Sequence, residues 1–146
     1  MVADVTPKAE TFALRTAKLS VGKSDKVVAR TDQLIIRLKV YAEGGENGLH
    51  AHHDEDHSFV ILDGQATFHD KDDNATIVNK YEGIMIPKGT YYRFESTGTT
   101  NLVLLRVGAG RKPGGGFRLG PDGKPLTREE NFDVEGVPVP GQFFGA

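Results

Sequence analysis

Short runs of β-forming residues, each closed by a turn signal, constrain this chain more than any other feature of its sequence. From Gln33 to Tyr41, Leu34, Ile36, Leu38 and Val40 recur at every second position, opposite Gln33, Ile35, Arg37, Lys39 and Tyr41. Side chains of a strand point to alternate faces, so this is the pattern of a half-buried strand. Gly44-Gly45-Glu46-Asn47-Gly48 then reads as a turn, and further breaks follow at Asp63-Gly64, Asp72-Asp73-Asn74, Glu82-Gly83, Lys88-Gly89 and Thr97-Gly98. Between them lie the runs 57–62, 65–69, 75–78, 84–86, 91–95 and 102–107. Strands this short, with turn signals about every 8–12 residues, predict an all-β sandwich or closed barrel. The best helical turn anywhere is Thr127-Arg128-Glu129-Glu130.

The flanks of residues 33–107, which carry the barrel pattern, have a different character. Residues 1–32 form an extended N-terminal arm, in which 12–15 and 27–30 read as edge strands or ordered coil. Residues 108–146 are rich in Gly and Pro and cannot build a core of their own. They still contain Phe117, Leu119, Leu126, Phe132, Val134, Val137, Val139, Phe143 and Phe144, too apolar a set for a solvated linker. The expectation is an arm that packs on the barrel or on a second subunit. Gly114-Gly115-Gly116 lacks the Lys-Ser/Thr ending and following helix of a phosphate loop.

Composition removes several classes of function. The 146 residues suit one domain, and the net charge of −2 comes with 18 basic residues scattered without a block, so no nucleic-acid partner is expected. No apolar run approaches the roughly 18 residues of a membrane span, and the first residues lack a secretory leader, so a cytoplasmic protein is expected with no membrane partner. There is no Cys, so any metal must be held by nitrogen and oxygen.

All five His, His50, His52, His53, His57 and His69, fall between positions 50 and 69. On a strand, His50 and His52 project from one face, and a hairpin-like return after Asp54-Glu55-Asp56, read as an acidic turn, brings His57 beside them. Three neutral imidazoles suit a divalent transition metal such as Fe(II), Mn, Ni or Zn, with positions left open for water or substrate. His53 falls on the opposite face, and His69 is expected away from the ion.

This spacing resembles the first motif of the cupin superfamily: Gly, five residues, His-x-His, three or four residues, Glu, six residues, Gly. Here Gly44 leads to His50-Ala51-His52, then to His57 in place of the Glu, then to Gly64. The second motif, Pro-x-Gly-x-x-His, is similar to Pro87-Lys88-Gly89-Thr90-Tyr91-Tyr92, with Tyr92 at the usual ligand position. The resemblance covers roughly residues 33–107 and implies an antiparallel jelly-roll β-barrel with a metal in its mouth. It implies His50, His52 and His57 as ligands. Tyr92 is open to three roles: ligand, catalytic proton donor, or wall. Phe59, Ile61 and Phe94 are expected as apolar walls of a pocket for a small organic substrate. The functions implied are a metal-dependent dioxygenase, a non-oxidative lyase or isomerase using Tyr92 in proton transfer, or a non-catalytic metal- or ligand-binding protein. A homodimer is expected, as is common for single-domain cupins.

Overall fold

The computed structural model describes residues 6–111, 113–114, 118–126 and 134–145. Among these there is no helix, and twelve strands run in chain order: β1 (Thr16–Val21), β2 (Lys23–Arg30), β3 (Leu34–Tyr41), β4 (Gly45–His52), β5 (Glu55–Asp63), β6 (Gln65–His69), β7 (Ala75–Asn79), β8 (Gly83–Ile86), β9 (Tyr92–Ser96), β10 (Leu102–Gly110), β11 (Arg118–Leu119) and β12 (Val137–Phe144). One sheet has the order β2-β3-β10-β5-β8 and the other β11-β4-β9-β6-β7, with antiparallel pairing throughout. Tyr41, Phe59, Ile61, Phe68, Val78, Ile86, Tyr92, Phe94, Leu102 and Leu104 come from both sheets and close the core between them. This is the expected all-β jelly-roll barrel.

The expected strand runs from 57 to 107 are all present, and β6 has the expected bounds. The expected turn at Gly44–Gly48 is not a turn along its length. Only Gly44 takes the left-handed conformation, with φ 65°, and β4 begins at Gly45. A side chain at Gly45 would run into the Phe94 carbonyl, so glycine here serves close pairing with β9 as well as the bend. The expected acidic turn at 54–56 is shorter too, because β5 starts at Glu55, which is buried.

Strand β3 turns its faces opposite to the simplest reading of its alternation. Leu38 and Val40 do not enter the central core; they form a second cluster with Leu19 and Val103, against which Leu14, Val28, Leu62 and Phe144 pack. Tyr41 joins the central core, and Lys39 and Arg37 line a cavity at the barrel mouth. The apolar face of β3 therefore looks outward and needs a cover. A two-stranded ribbon, β1 paired with β12, supplies it through Leu19 and Phe144. In this chain the C-terminal arm packs on the N-terminal arm and on the barrel. Of the two N-terminal runs, 27–30 lies in β2, while 12–15 is outside any strand. The expected helical turn at 127–130, together with Gly115, Gly116, Phe117 and Phe132, lies outside the described residues.

Removing the Phe144 ring should expose part of the Leu38 and Val40 surface. Phe144→Ala is expected to lower stability by about 1–3 kcal/mol, less than a fully buried Phe because the ring is only half-buried. Urea unfolding followed by far-UV circular dichroism measures this, and an unchanged midpoint would show that the ribbon does not hold the outer face.

Candidate functional site

The two histidines of the His-x-His run stand on β4, and alternation along the strand sends both side chains to one face, where both are buried. His50 faces Tyr92 across the β4–β9 pair, with ring centroids 4.4 Å apart. His52 lies 5.4 Å from His50 and 4.2 Å from His57, again between centroids. His50, His57 and Tyr92 are buried to within 2% of full coverage. The structure thus gathers His50, His52, His57 and Tyr92 in one interior cluster. It leaves His53 exposed and places His69 on β6, between Asp73 at 3.3 Å and Glu95 at 3.6 Å.

Hydrogen bonding sorts the three imidazoles. Nδ1 of His50 is 2.7 Å from the Gly48 carbonyl, which can only accept, so Nδ1 carries a proton. Its Nε2 is buried 3.5 Å from Glu46 Oε2, beyond close hydrogen-bond geometry, and Nε2 of His52 is buried with no hydrogen-bond partner. A donor tied to a backbone carbonyl through one nitrogen, with the other left free, is the arrangement of a metal-ligating His. His57 differs. Its Nε2 is 3.0 Å from Glu55 Oε1 and 3.0 Å from Arg106 Nη2, and only Nδ1 is left without a partner. One ring nitrogen cannot both donate to Glu55 and accept from Arg106 at once, so each tautomer of the neutral ring satisfies one neighbour.

Around the histidines the barrel mouth is charged. Lys39 Nζ is 3.1 Å from Glu46 Oε1, and Arg118 reaches the same oxygen at 3.1 Å. Burial alone would raise the Glu46 carboxyl, but Lys39, the His50 ring with its Nε2 3.5 Å from Oε2, and Arg118 outweigh it and hold the group well below the usual carboxylate range. Burial lowers Lys39, opposed chiefly by Glu46. Glu55 is also held below the usual range, because bonds from His57 and the Gly114 backbone N–H outweigh its burial. Gly108 allows this position, since a side chain there would collide with the Glu55 carboxylate. Burial, reinforced by the charge on Glu46, pushes the Tyr92 hydroxyl far above its ordinary range, so it is a neutral phenol whose oxygen has no partner. Burial and the neighbouring His57 and Arg106 depress His52 to about 2.

The cavity at this mouth has a volume of about 270 Å³ and is lined by Lys23, Asp25, Arg37, Lys39, His52, Glu55, Arg106, Gly114 and Arg118. The expected apolar walls are elsewhere: Phe59, Ile61 and Phe94 are 0% exposed and form the closed core. Aromatic packing explains this, with Phe59 and Phe94 at 5.5 Å and Phe68 and Phe94 stacked at 4.9 Å, which fills the space below the histidines. Glu46, Glu55, Lys39 and Arg106 escaped sequence reasoning as site residues. Their period-two placement with His50, His57, Tyr41 and Leu104 was a usable signal, because each sits two or four residues from an inward-facing neighbour.

Of the three imidazoles expected to share an ion, His50 and His52 each leave Nε2 without a hydrogen bond and His57 leaves Nδ1, so each carries one nitrogen that could meet a divalent ion. Among the described residues no group of three His, Asp or Glu side chains stands together as an ion requires. At His57 the Nε2 is occupied by Glu55 and Arg106, and Nδ1 is the nitrogen left open.

A family model described as "Cupin domain" matches residues 37–108. An uncharacterized protein of Bacillus subtilis, YdbB, is 32% identical over 78 residues, covering 53% of this chain and 67% of its own. Among solved structures, a Klebsiella pneumoniae protein with a double-stranded β-helix domain superposes with a TM-score of 0.58 at 17% identity, over 64% of this chain and 76% of that one. KdgF from Halomonas superposes with a TM-score of 0.56 at 15% identity, over 62% and 82% of the two chains. The chain belongs to the cupin superfamily. No helix among the described residues is long and apolar enough to cross a membrane.

The depressed His52 predicts acid sensitivity. Its folded-state value near 2 lies below the unfolded value of 6.5, so its contribution to stability is complete above pH 6.5 and is lost as pH falls from there toward 2. His57, lowered by burial, acts in the same direction. In chelator-treated protein the urea midpoint should fall between pH 7.5 and 5, at up to about 1.4 kcal/mol per pH unit for one such group. His52→Gln should flatten that slope, and parallel slopes for the two proteins would refute the assignment.

Proposed function

We propose that this chain is a metal-dependent cupin enzyme that binds a divalent transition metal through His50 and His52 and acts on a small organic substrate entering the mouth cavity. The observation that supports it best is the pair of buried Nε2 atoms on β4 that make no hydrogen bond, one of them with its Nδ1 proton held by the Gly48 carbonyl and Glu46 Oε2 3.5 Å away. A bound ion would supply Lewis acidity to a substrate oxygen. His50 and His52 would orient the bound group, and the closed aromatic core below them excludes water from that side. Tyr92, neutral and with a free hydroxyl beside His50, is placed to hold or deliver a proton at its Oη. His57 would hold a proton at Nε2 toward Glu55, or at Nδ1 when Nε2 accepts from Arg106.

Between the two enzymatic readings, the polar cavity and the proton-bearing Tyr92 favour a non-oxidative lyase or isomerase over a dioxygenase with an apolar pocket. The dioxygenase reading keeps its support in the two-imidazole set, which leaves coordination positions open. A homodimer remains part of the proposal for the assembled protein.

Elemental analysis of protein purified without added metal tests the ligand assignment. His50→Ala and His52→Ala are each expected to lose most of the metal, while His57→Ala retains more than half; equal loss in all three would restore a three-His site. Oxygen uptake by Fe(II)-loaded protein, assayed anaerobically loaded and then mixed with diketones, thiols and catechols, separates the reactions. Substrate-dependent uptake would overturn the non-oxidative reading.

A further inference from the structure

Arg106 presents a buried charge that Glu46 and Glu55 favour from a distance but that no carboxylate contacts directly among the described residues. It stands on the inner face of β10 and is 7% exposed. Its Nη2 meets His57 Nε2 at 3.0 Å, its Nε is buried with no partner, and among the described residues no carboxylate oxygen lies within ion-pair distance of it. The acids nearby are already committed: Glu46 to Lys39 and Arg118, Asp25 to Arg37, Glu55 to His57 and the Gly114 N–H. A buried guanidinium with an unfilled bonding direction is costly unless something pairs with it. The group nevertheless lines the mouth cavity, together with four other cationic side chains, Lys23, Arg37, Lys39 and Arg118, and two carboxylates, Asp25 and Glu55.

We infer that Arg106 is the anchor for an anionic group, a carboxylate or phosphate, on the substrate, and that the ligand of this cavity is a small organic anion. This rests on the reading of the cavity as the substrate mouth. Arg106 offers a planar fork suited to two parallel hydrogen bonds to a carboxylate or phosphate. Among the described residues lining the cavity, cations outnumber carboxylates even with Glu46 counted beside Lys39 and Arg118, and such a balance favours an anion over a cationic competitor. A volume of about 270 Å³ admits a molecule of a few carbon atoms. His52 lines the same cavity, so an anion held at Arg106 can carry its remaining atoms toward that imidazole. Arg106 is then the residue that sets substrate class, by selecting charge at one end of the molecule.

The test uses chelator-treated protein at constant chloride concentration, titrated calorimetrically with malonate and, separately, with inorganic phosphate. Saturable binding of either anion is expected, and the tighter one identifies the group recognised. Arg106→Gln is expected to weaken that binding by about tenfold or more, the loss typical of a charged hydrogen bond. Its far-UV circular dichroism without anion should match that of the unaltered protein, so that the loss of binding is read on folded protein. Should Arg106→Gln not fold, Arg106→Lys keeps the charge, loses the fork, and is expected to weaken binding in the same direction. No saturable binding by the unaltered protein, or undiminished binding by the variants, would overturn the inference. Metal content is read separately, so failure of the ion assignment and failure of the anion site are distinguishable.

Discussion

Strand β3 buries both of its faces, and the two faces need opposite partners. Leu38 and Val40 require apolar cover, which the β1–β12 ribbon provides, while Lys39 on the other face requires a counterion, which Glu46 provides at 3.1 Å. The hairpin partner β2 contributes only the longer Asp25 contact to Lys39, at 3.8 Å, and no cover for the apolar face to match the ribbon. The ribbon comes from the two ends of the chain, and Glu46 comes from the opposite sheet. The barrel therefore closes around a charged mouth rather than around a uniformly apolar interior.

That division explains why the core and the site are stacked instead of mixed. Below, Phe59, Phe68, Phe94 and Tyr92 pack ring against ring and leave no room for a ligand. Above, charges and imidazoles face one another across a cavity that water can enter. Tyr92 marks the boundary, with its ring both in the aromatic stack and 4.4 Å from the His50 ring. Ionised groups at such a boundary hold each other's charge states: Glu46 stays ionised through Lys39 and Arg118, and His52 stays neutral beside His57 and Arg106. An imidazole kept neutral is a usable ligand or proton acceptor, which links the electrostatics of the mouth to the proposed chemistry.

Much of the barrel was legible because its signals are local. Turn residues and β-branched runs located β5 to β10, and the spacing from Gly44 through His50-Ala51-His52 to Gly64 indicated the superfamily. Local signals failed where a residue's role is set from across the barrel. Gly45 read as part of a turn, yet it serves close approach to Phe94; Glu55 read as a solvated acid, yet it is buried against His57 and the Gly114 backbone. Arg37 and Lys39 read as the solvent face of β3 because charge normally marks that face, and here it marks the mouth of the barrel.

The sequence by itself determined an all-β architecture, the absence of thiol chemistry, and the concentration of imidazoles on one pair of strands, because periodicity, turn chemistry and composition are properties of neighbouring residues. Only the tertiary structure decided which nitrogen of each imidazole is free, which acids are committed, and that Phe59, Ile61 and Phe94 are core and not pocket. Those outcomes depend on contacts between residues up to 72 positions apart, such as Arg118 with Glu46, which no local pattern encodes.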